Sequence, residues 1–315
     1  MKRALGDTGI SISPLVFGGN VFGWTADRQR SFELLDRFVE AGFETIDTAD
    51  IYSTWVPGNR GGESETIIGD WLKSRGKRDS VVLITKVGME MSPERQGLSA
   101  AWIERAVEDS LRRLQTDHVD VYFSHIFDPD VPVEETLRAY ERLIMAGKVR
   151  AIGASNHSAE QLAGALKAAD EQGLPRYQVL QPPYSLYHRG DYEGALRNLA
   201  ISEGLGVITY YSLASGFLTG KYRSSADLGQ SPRGSRIEAY LNDRGMRILA
   251  ALDEVAEAHG AAPAEVALAW LIQREGVTAP IASATRLDQL ESLMRSTRLA
   301  LSAADVELLD KASAP

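Results

Sequence analysis

The chain has 315 residues, 44% hydrophobic and 24% charged, which suits a globular protein and leaves room for one barrel of about 250 residues with extensions. Its formal net charge of −9 argues against nucleic acid or a membrane surface as the main partner. The absence of cysteine excludes disulfides, thiolate nucleophiles and thiolate metal sites.

No run approaches the roughly 18 apolar residues of a membrane span. Met1 to Asp7 lacks the apolar stretch of a signal peptide. The expectation is a cytoplasmic protein with neither nucleic acid nor membrane as partner. Along the chain, Asp7-Thr8-Gly9 reads as a turn between two short strands, a hairpin placed to close a barrel floor. Short strand-like runs then recur at Leu15–Phe17, Thr45–Asp47, Val81–Thr85, Val119–Phe123, Ala151–Gly153, Gln178–Gln181, Gly206–Thr209 and Thr278–Ile281. Helical patterns separate them. Trp102–Leu114 places Ile103, Ala106, Val107, Ser110, Leu111 and Leu114 on one face. Glu134–Met145 does the same with Leu137, Tyr140, Leu143 and Ile144, between a starting Pro132 and a terminating Gly147. Ser224 to Arg244 lacks an apolar period and reads as a long loop.

Strands alternating with helices demand parallel pairing. Eight such units predict an α/β chain folded as a (β/α)8 TIM barrel, one domain over residues 1–315, with an N-terminal β-hairpin and a long loop after strand seven. The rival open doubly wound sheet wants a Gly-x-Gly-x-x-Gly turn after its first strand. Gly18-Gly19-Asn20-Val21-Phe22-Gly23 is not that turn.

Active sites of such barrels lie at the carboxyl ends of the strands. Those ends carry Asp47 with Tyr52 beyond it, Lys86, His125, Ser155-Asn156, Gln181, Tyr210-Tyr211-Ser212 and Ser283. A lysine at the mouth of an apolar strand needs a counter-charge, which Asp47 can supply. A nearby ammonium favours phenolate, so Lys86 is expected to lower the Tyr52 pKa and make it a usable proton donor. Tyr52 and His125 converging on one oxygen would polarise a carbonyl. None of the four is a good nucleophile, so the set suits proton delivery while a reduced nicotinamide supplies hydride. No metal-ligand spacing appears. His259 before Gly260 suits a helix end, and His118 precedes its strand on the opposite face. His157 and His188 follow strands five and six without an evident partner.

These residues resemble the aldo-keto reductase superfamily over nearly the whole chain, in the manner of a bacterial-type NADP-dependent aldo/keto reductase close in pattern to the potassium-channel β-subunit-like branch. The resemblance is carried by Asp47-Thr48-Ala49-Asp50-Ile51-Tyr52 with Gly62-Glu63-Ser64-Glu65 and Ile68-Gly69, and by Leu111-Arg112-Arg113-Leu114 with Asp117, Asp120 and His125. Asp128-Pro129, Gly147 to Gly153, Ser155-Asn156, Gln181, Ser212 to Tyr222 and Ser283-Ala284-Thr285-Arg286 with Gln289 extend it. It implies a catalytic tetrad of Asp47, Tyr52, Lys86 and His125, with Tyr52 as proton donor, and NADP(H) bound in an extended pose. The implied cofactor contacts are Gly19, Asn20, Ser155, Asn156, Gln181, Tyr210, Ser212, Leu213, Gly216, Lys221, Ser283, Thr285, Arg286 and Gln289. Ser155, Asn156 and Gln181 would hold the carboxamide, Tyr210 would stack on the nicotinamide, and Arg286 would meet the 2′-phosphate. Ser283 and Leu293 stand where the family usually has Gly and Asn.

Trp24, Trp55 and Phe127, with the segment Ser53 to Arg60, are the expected substrate wall, which suits a sugar, an aryl aldehyde or a polycyclic alcohol equally. The expected activity is interconversion of an aldehyde or ketone with its alcohol, with a homo-oligomer possible. The rival is an NADP(H)-binding regulatory subunit with little turnover. A glycosidase needs two opposed strand-end carboxyls, and only Asp47 stands at a strand end.

Overall fold

The computed structural model describes residues 2–76 and 78–314. Eight parallel strands close into a barrel, each hydrogen-bonded to the next and the last to the first. They are β1 (Val16–Gly18), β2 (Thr45–Asp47), β3 (Val82–Val87), β4 (Val119–Ser124), β5 (Val149–Ser155), β6 (Val179–Gln181), β7 (Gly206–Thr209) and β8 (Ala279–Ala282). Closure is seen in Ile281 of β8 opposing Val16 of β1. The surrounding helices are α1 (Arg28–Glu40), α2 (Glu63–Arg75), α3 (Ala100–Leu114), α4 (Val133–Met145), α5 (Ala159–Gln172), α6 (Ala195–Ser202), α7 (Asp243–His259), α8 (Pro263–Gln273), α9 (Leu287–Arg295) and α10 (Ala303–Ser313). The (β/α)8 TIM barrel read from the sequence is the observed fold, with strand ends shifted by one or two residues.

Local chemistry explains the helix limits. Ser99 caps α3 by accepting from the Trp102 N–H. Ser158 and Gln161 form a reciprocal capping box on α5. The apolar stripe read on α3 is the buried one. Such a stripe holds the helix on the barrel by removing apolar surface from water, worth about 1.5–3 kcal/mol for each large side chain.

Two cores result. One lies between strands and helices. The other fills the barrel with Val16, Ile84, Val121, Phe123, Ala151, Val179, Ile208, Ala279 and Ile281, sealed below by Leu5, Ile10 and Ile12. Those last residues belong to the predicted hairpin, whose strands Arg3–Ala4 and Ser11–Ile12 pair antiparallel. Gly153 faces this interior because a Cβ there would lie 2.4 Å from the Phe123 ring. The barrel centre is thus packed from the floor to the level of Phe123, and any ligand is confined to the upper rim.

The long connection expected after strand seven is present, with local order inside it. Ser224–Arg244 is not a structureless loop. It contains two 3₁₀ turns, Ser225–Gln230 and Glu238–Tyr240, a short helix, Gly234–Ile237, and the start of α7. Single anchors replace a repeating stripe: a Ser224–Asp227 capping box, Ile237 fully buried, and Tyr240 stacked on Phe217 at 5.4 Å. An irregular segment held this way has no period to detect.

Candidate active site

Strand periodicity builds the site. Residues i and i+2 of a strand face the same side. Ile84 faces the barrel interior, so Lys86 does as well. The same register carries Phe123 to His125, Gly153 to Ser155, Val179 to Gln181, Ile208 to Tyr210 and Ile281 to Ser283. The final inward layer is therefore polar where the layers beneath it are aliphatic.

Asp47 is the hub. Lys86 Nζ donates to its Oδ1 at 2.7 Å and its Oδ2 at 2.8 Å. Gln181 Nε2, from the far side of the barrel, donates to Oδ1 at 2.9 Å. Lys86 is fully buried, with 0% of its side chain exposed. Its third strong contact, to the Thr48 carbonyl, is 2.7 Å, and the Tyr52 hydroxyl stands at 3.4 Å. Sequence reasoning missed the Thr48 carbonyl, since a backbone acceptor leaves no trace in residue type.

Electrostatics reverse one expectation. Burial pushes the half-buried Tyr52 phenol well above its ordinary pKa, and the Asp47 carboxylate, Tyr210 and Tyr211 add to the shift. Lys86 was expected to pull it down. Its charge is already committed to Asp47, so the pair presents the phenol with little net cation. Burial lowers Lys86 itself, against the pull of Asp47. Burial, with Lys86 nearby, holds His125 well below the usual imidazole value, hence neutral. His125 Nδ1 is buried without a hydrogen-bond partner, and its ring lies 6.1 Å from that of Tyr52.

The other predicted residues surround this cluster. Asn156, at φ 56, donates to the His125 carbonyl at 2.8 Å and accepts from the Tyr210 hydroxyl at 2.6 Å. Ser155 Oγ donates to the Gln181 carbonyl at 2.9 Å. Ser283 Oγ donates to Asn20 Oδ1 at 2.6 Å. Gly19 lies beneath Ser64, whose hydroxyl donates to the Gly19 carbonyl at 2.8 Å. Ser212 Oγ donates to the Thr209 carbonyl at 3.0 Å. The Leu213 carbonyl accepts from Gly216 N–H at 2.8 Å, and Lys221 sits over Tyr222. Thr285 donates through N–H and Oγ1 to Gln289 Oε1, at 2.9 and 3.1 Å. Arg286 is paired with Asp288, its side chain still 64% exposed. Leu293 is buried in the outer core.

Trp24 and Trp55 meet edge-to-face at 5.8 Å, and Trp55 meets Tyr52 at 5.9 Å, which brings both beside the Tyr52 ring. Phe127 packs on His157 at 5.7 Å. The two histidines read as partnerless have partners: His157 Nδ1 meets the Ser155 carbonyl and His188 Nε2 the Tyr240 hydroxyl. His259 ends α7 and pairs with Asp305.

Behind the cluster lies a group that spacing did not reveal. Glu65 is fully buried and bonds Thr85 Oγ1 and Arg113 Nε at 2.6 and 2.7 Å. Asp50 is also buried, and neither of its carboxyl oxygens has a well-aligned donor. Burial and the Glu65 charge raise its pKa well above the carboxylate range, with Arg113, Arg95 and its neighbouring Ile51 N–H opposing. A raised carboxyl favours the folded state fully below pH about 3.8 and loses that contribution as pH rises through its native value. Asp50→Asn, neutral at every pH, removes this slope. The variant is expected to gain on the wild type between pH 5 and 9 in urea unfolding, and a constant difference would show Asp50 to be charged throughout.

The groups along this rim suit a nicotinamide dinucleotide. Ala214, Ser215 and Gly216 form a left-handed run at φ 46, 58 and 102, a strained backbone of the kind found at ligand loops. The space beside Gly216 is open for 4 Å. Arg286 offers an exposed guanidinium suited to a phosphate. The rim fits such a molecule.

Comparison with known proteins agrees. The profile of the Aldo/keto reductase family matches residues 14–314. Norsolorinic acid reductase stcV of Emericella nidulans is 34% identical over 309 residues, covering 93% of this chain and 76% of its own. A Bacillus subtilis oxidoreductase, YrpG, is 34% identical over 97% of this chain and 92% of its own. A probable voltage-gated potassium channel subunit beta of Arabidopsis thaliana is 33% identical over 93% and 90%. The chain belongs to the aldo/keto reductase family. It is accordingly an oxidoreductase of a family that uses NAD(P)H on small-molecule carbonyl compounds. No helix among the described residues is long and apolar enough to cross a membrane.

Proposed function

We propose that this chain is an NADP(H)-dependent carbonyl reductase acting as one barrel unit, residues 1–315, in the cytoplasm. The Lys86–Asp47 pair buried beside the Tyr52 hydroxyl carries the reading. A nicotinamide held by Ser155, Asn156 and Gln181 would supply the hydride for the carbonyl carbon. Tyr52 delivers the proton to the oxygen, and Lys86 steadies the phenolate left behind. Asp47 keeps Lys86 charged, since an isolated buried ammonium would shed its proton. Neutral His125 directs one N–H at the substrate oxygen and orients it.

Arg286 and Thr285 support NADP over NAD, because a guanidinium gains most from the extra phosphate dianion. The test is a titration of the protein with NADPH and NADH, followed by a panel of aldehydes. NADPH is expected to bind tighter, and Arg286→Ala to weaken NADPH by about ten- to a hundredfold while sparing NADH. Equal loss for both nucleotides would place Arg286 elsewhere than at the 2′-phosphate. A second reading, an NADP(H)-binding regulatory subunit, rests on the likeness to the Arabidopsis channel subunit. Tight NADPH binding with no turnover across the panel would favour it.

A further inference from the structure

A cation stands at the mouth of the site without an acid to answer it. Arg233 belongs to the segment after β7, and its guanidinium lies over the Trp24 ring at 5.1 Å. Its Nη2 is buried with no hydrogen-bond partner. Among the described residues no carboxylate lies within ion-pair distance of it, and the nearby charge is a second cation, Arg236. Burial accordingly lowers its pKa, with Arg236 adding to the shift. Burying a guanidinium unpaired is costly, and a fold that keeps one there leaves its fork open to a ligand oxyanion.

The position identifies the ligand. Arg233 rests on Trp24, Trp24 on Trp55 and Trp55 on Tyr52, with successive separations of 5.1, 5.8 and 5.9 Å. That path runs along the substrate wall to the proton donor. On its other side Arg233 lies near Tyr211 and Tyr222, next to Tyr210 and Lys221, so a cofactor phosphate is the rival occupant that the NADPH Kd below tells apart. The segment is held in place, since Tyr222 and Ser231 bond through their hydroxyls at 2.6 Å and the Arg233 N–H donates to Ser231 Oγ at 3.3 Å. We propose that Arg233 is a specificity residue that binds a carboxylate or phosphate carried by the carbonyl substrate, at the end of the aromatic wall remote from the reacting carbon. The proposal rests on the reductase reading above. It narrows the substrate class to acidic aldehydes and ketones, whose negative group bonds Arg233 while the aromatic wall covers the body of the molecule.

The test compares wild type, Arg233→Gln and Arg233→Lys. Each is assayed with NADPH on 4-carboxybenzaldehyde and on 4-methylbenzaldehyde, which match in shape and differ in charge. Terephthalate, which is not reduced, is titrated calorimetrically into each protein with and without NADP. Wild type is expected to prefer the carboxylate aldehyde. Arg233→Gln is expected to lose about ten- to a hundredfold in kcat/KM for it, mostly through KM, with the methyl compound unchanged and Arg233→Lys recovering part of the loss. Terephthalate affinity should fall in parallel. Equal losses on both aldehydes would overturn the proposal in favour of a prop for Trp24. A weaker NADPH Kd in Arg233→Gln would overturn it in favour of a cofactor phosphate contact. Indifference of wild type to the carboxylate would also overturn it. A fall in terephthalate affinity with no turnover of either aldehyde would retain the anion site and defeat the reductase reading instead.

Discussion

Tyr52→Phe is expected to lower kcat by about 100-fold or more, the usual contribution of a proton donor, with the NADPH Kd unchanged within about twofold. The substitution is clean. A phenyl ring in the same place keeps the contacts to Trp55 at 5.9 Å and His125 at 6.1 Å, and it stays 5.0 Å beneath Lys86. Only the hydroxyl goes. Lys86 loses its 3.4 Å contact there and retains the shorter ones to Asp47 and Thr48. The fold therefore stays intact, and any loss reports the chemistry. Single-turnover oxidation of bound NADPH by a saturating aldehyde is the measurement. Residual activity above about a tenth would rule Tyr52 out as the donor, because an enzyme that loses its acid does not keep that much rate.

Much of this site was legible because β-strands write their facing into the sequence. A run such as Val82–Val87 announces a strand by its branched residues, and a lysine at its end is conspicuous. Asp47, Lys86, His125, Ser155 and Gln181 were found in that way, and the structure hydrogen-bonds Asp47 to Lys86 and to Gln181 across the barrel. What spacing does not carry is mutual compensation. The sequence places Lys86 near Tyr52 and so predicts a lowered phenol pKa. Only geometry shows the phenol desolvated and the ammonium spent on Asp47, and burial first, with the Asp47 charge behind it, reverses the sign.

Asp50 and Glu65 show the same limit from another side. Both stand within a stretch recognisable by resemblance, yet nothing in it says that Glu65 has Arg113 and Thr85 as partners while Asp50 is left without a donor. Burial of a charge is a property of three-dimensional surroundings. The segment after β7 was opaque for a different reason. Its order comes from isolated anchors such as Ile237 and Tyr240, and isolated anchors have no period. Arg233 lies in that segment, where sequence patterning is weakest.

Lys86→Met is expected to abolish turnover and to destabilise the protein by about 3–5 kcal/mol, the cost of leaving one member of a buried ion pair alone. Asp47 is 1% exposed and would retain Gln181 as a donor at 2.9 Å, too little to solvate a carboxylate. The double variant Asp47→Asn with Lys86→Met removes both charges. It is expected to recover most of the lost stability in urea unfolding, because well-packed neutral groups often replace a buried pair at little net cost. Activity should stay absent in the double variant, since neither the amide nor the thioether that replaces the pair can support a phenolate at Tyr52. Recovery of stability without recovery of rate would separate the two roles of the pair and assign its retention to proton transfer. If instead Lys86→Met alone cost under about 1 kcal/mol, the carboxyl would have taken up a proton at little expense. The pair would then not be the charged hub on which the Tyr52 reading depends.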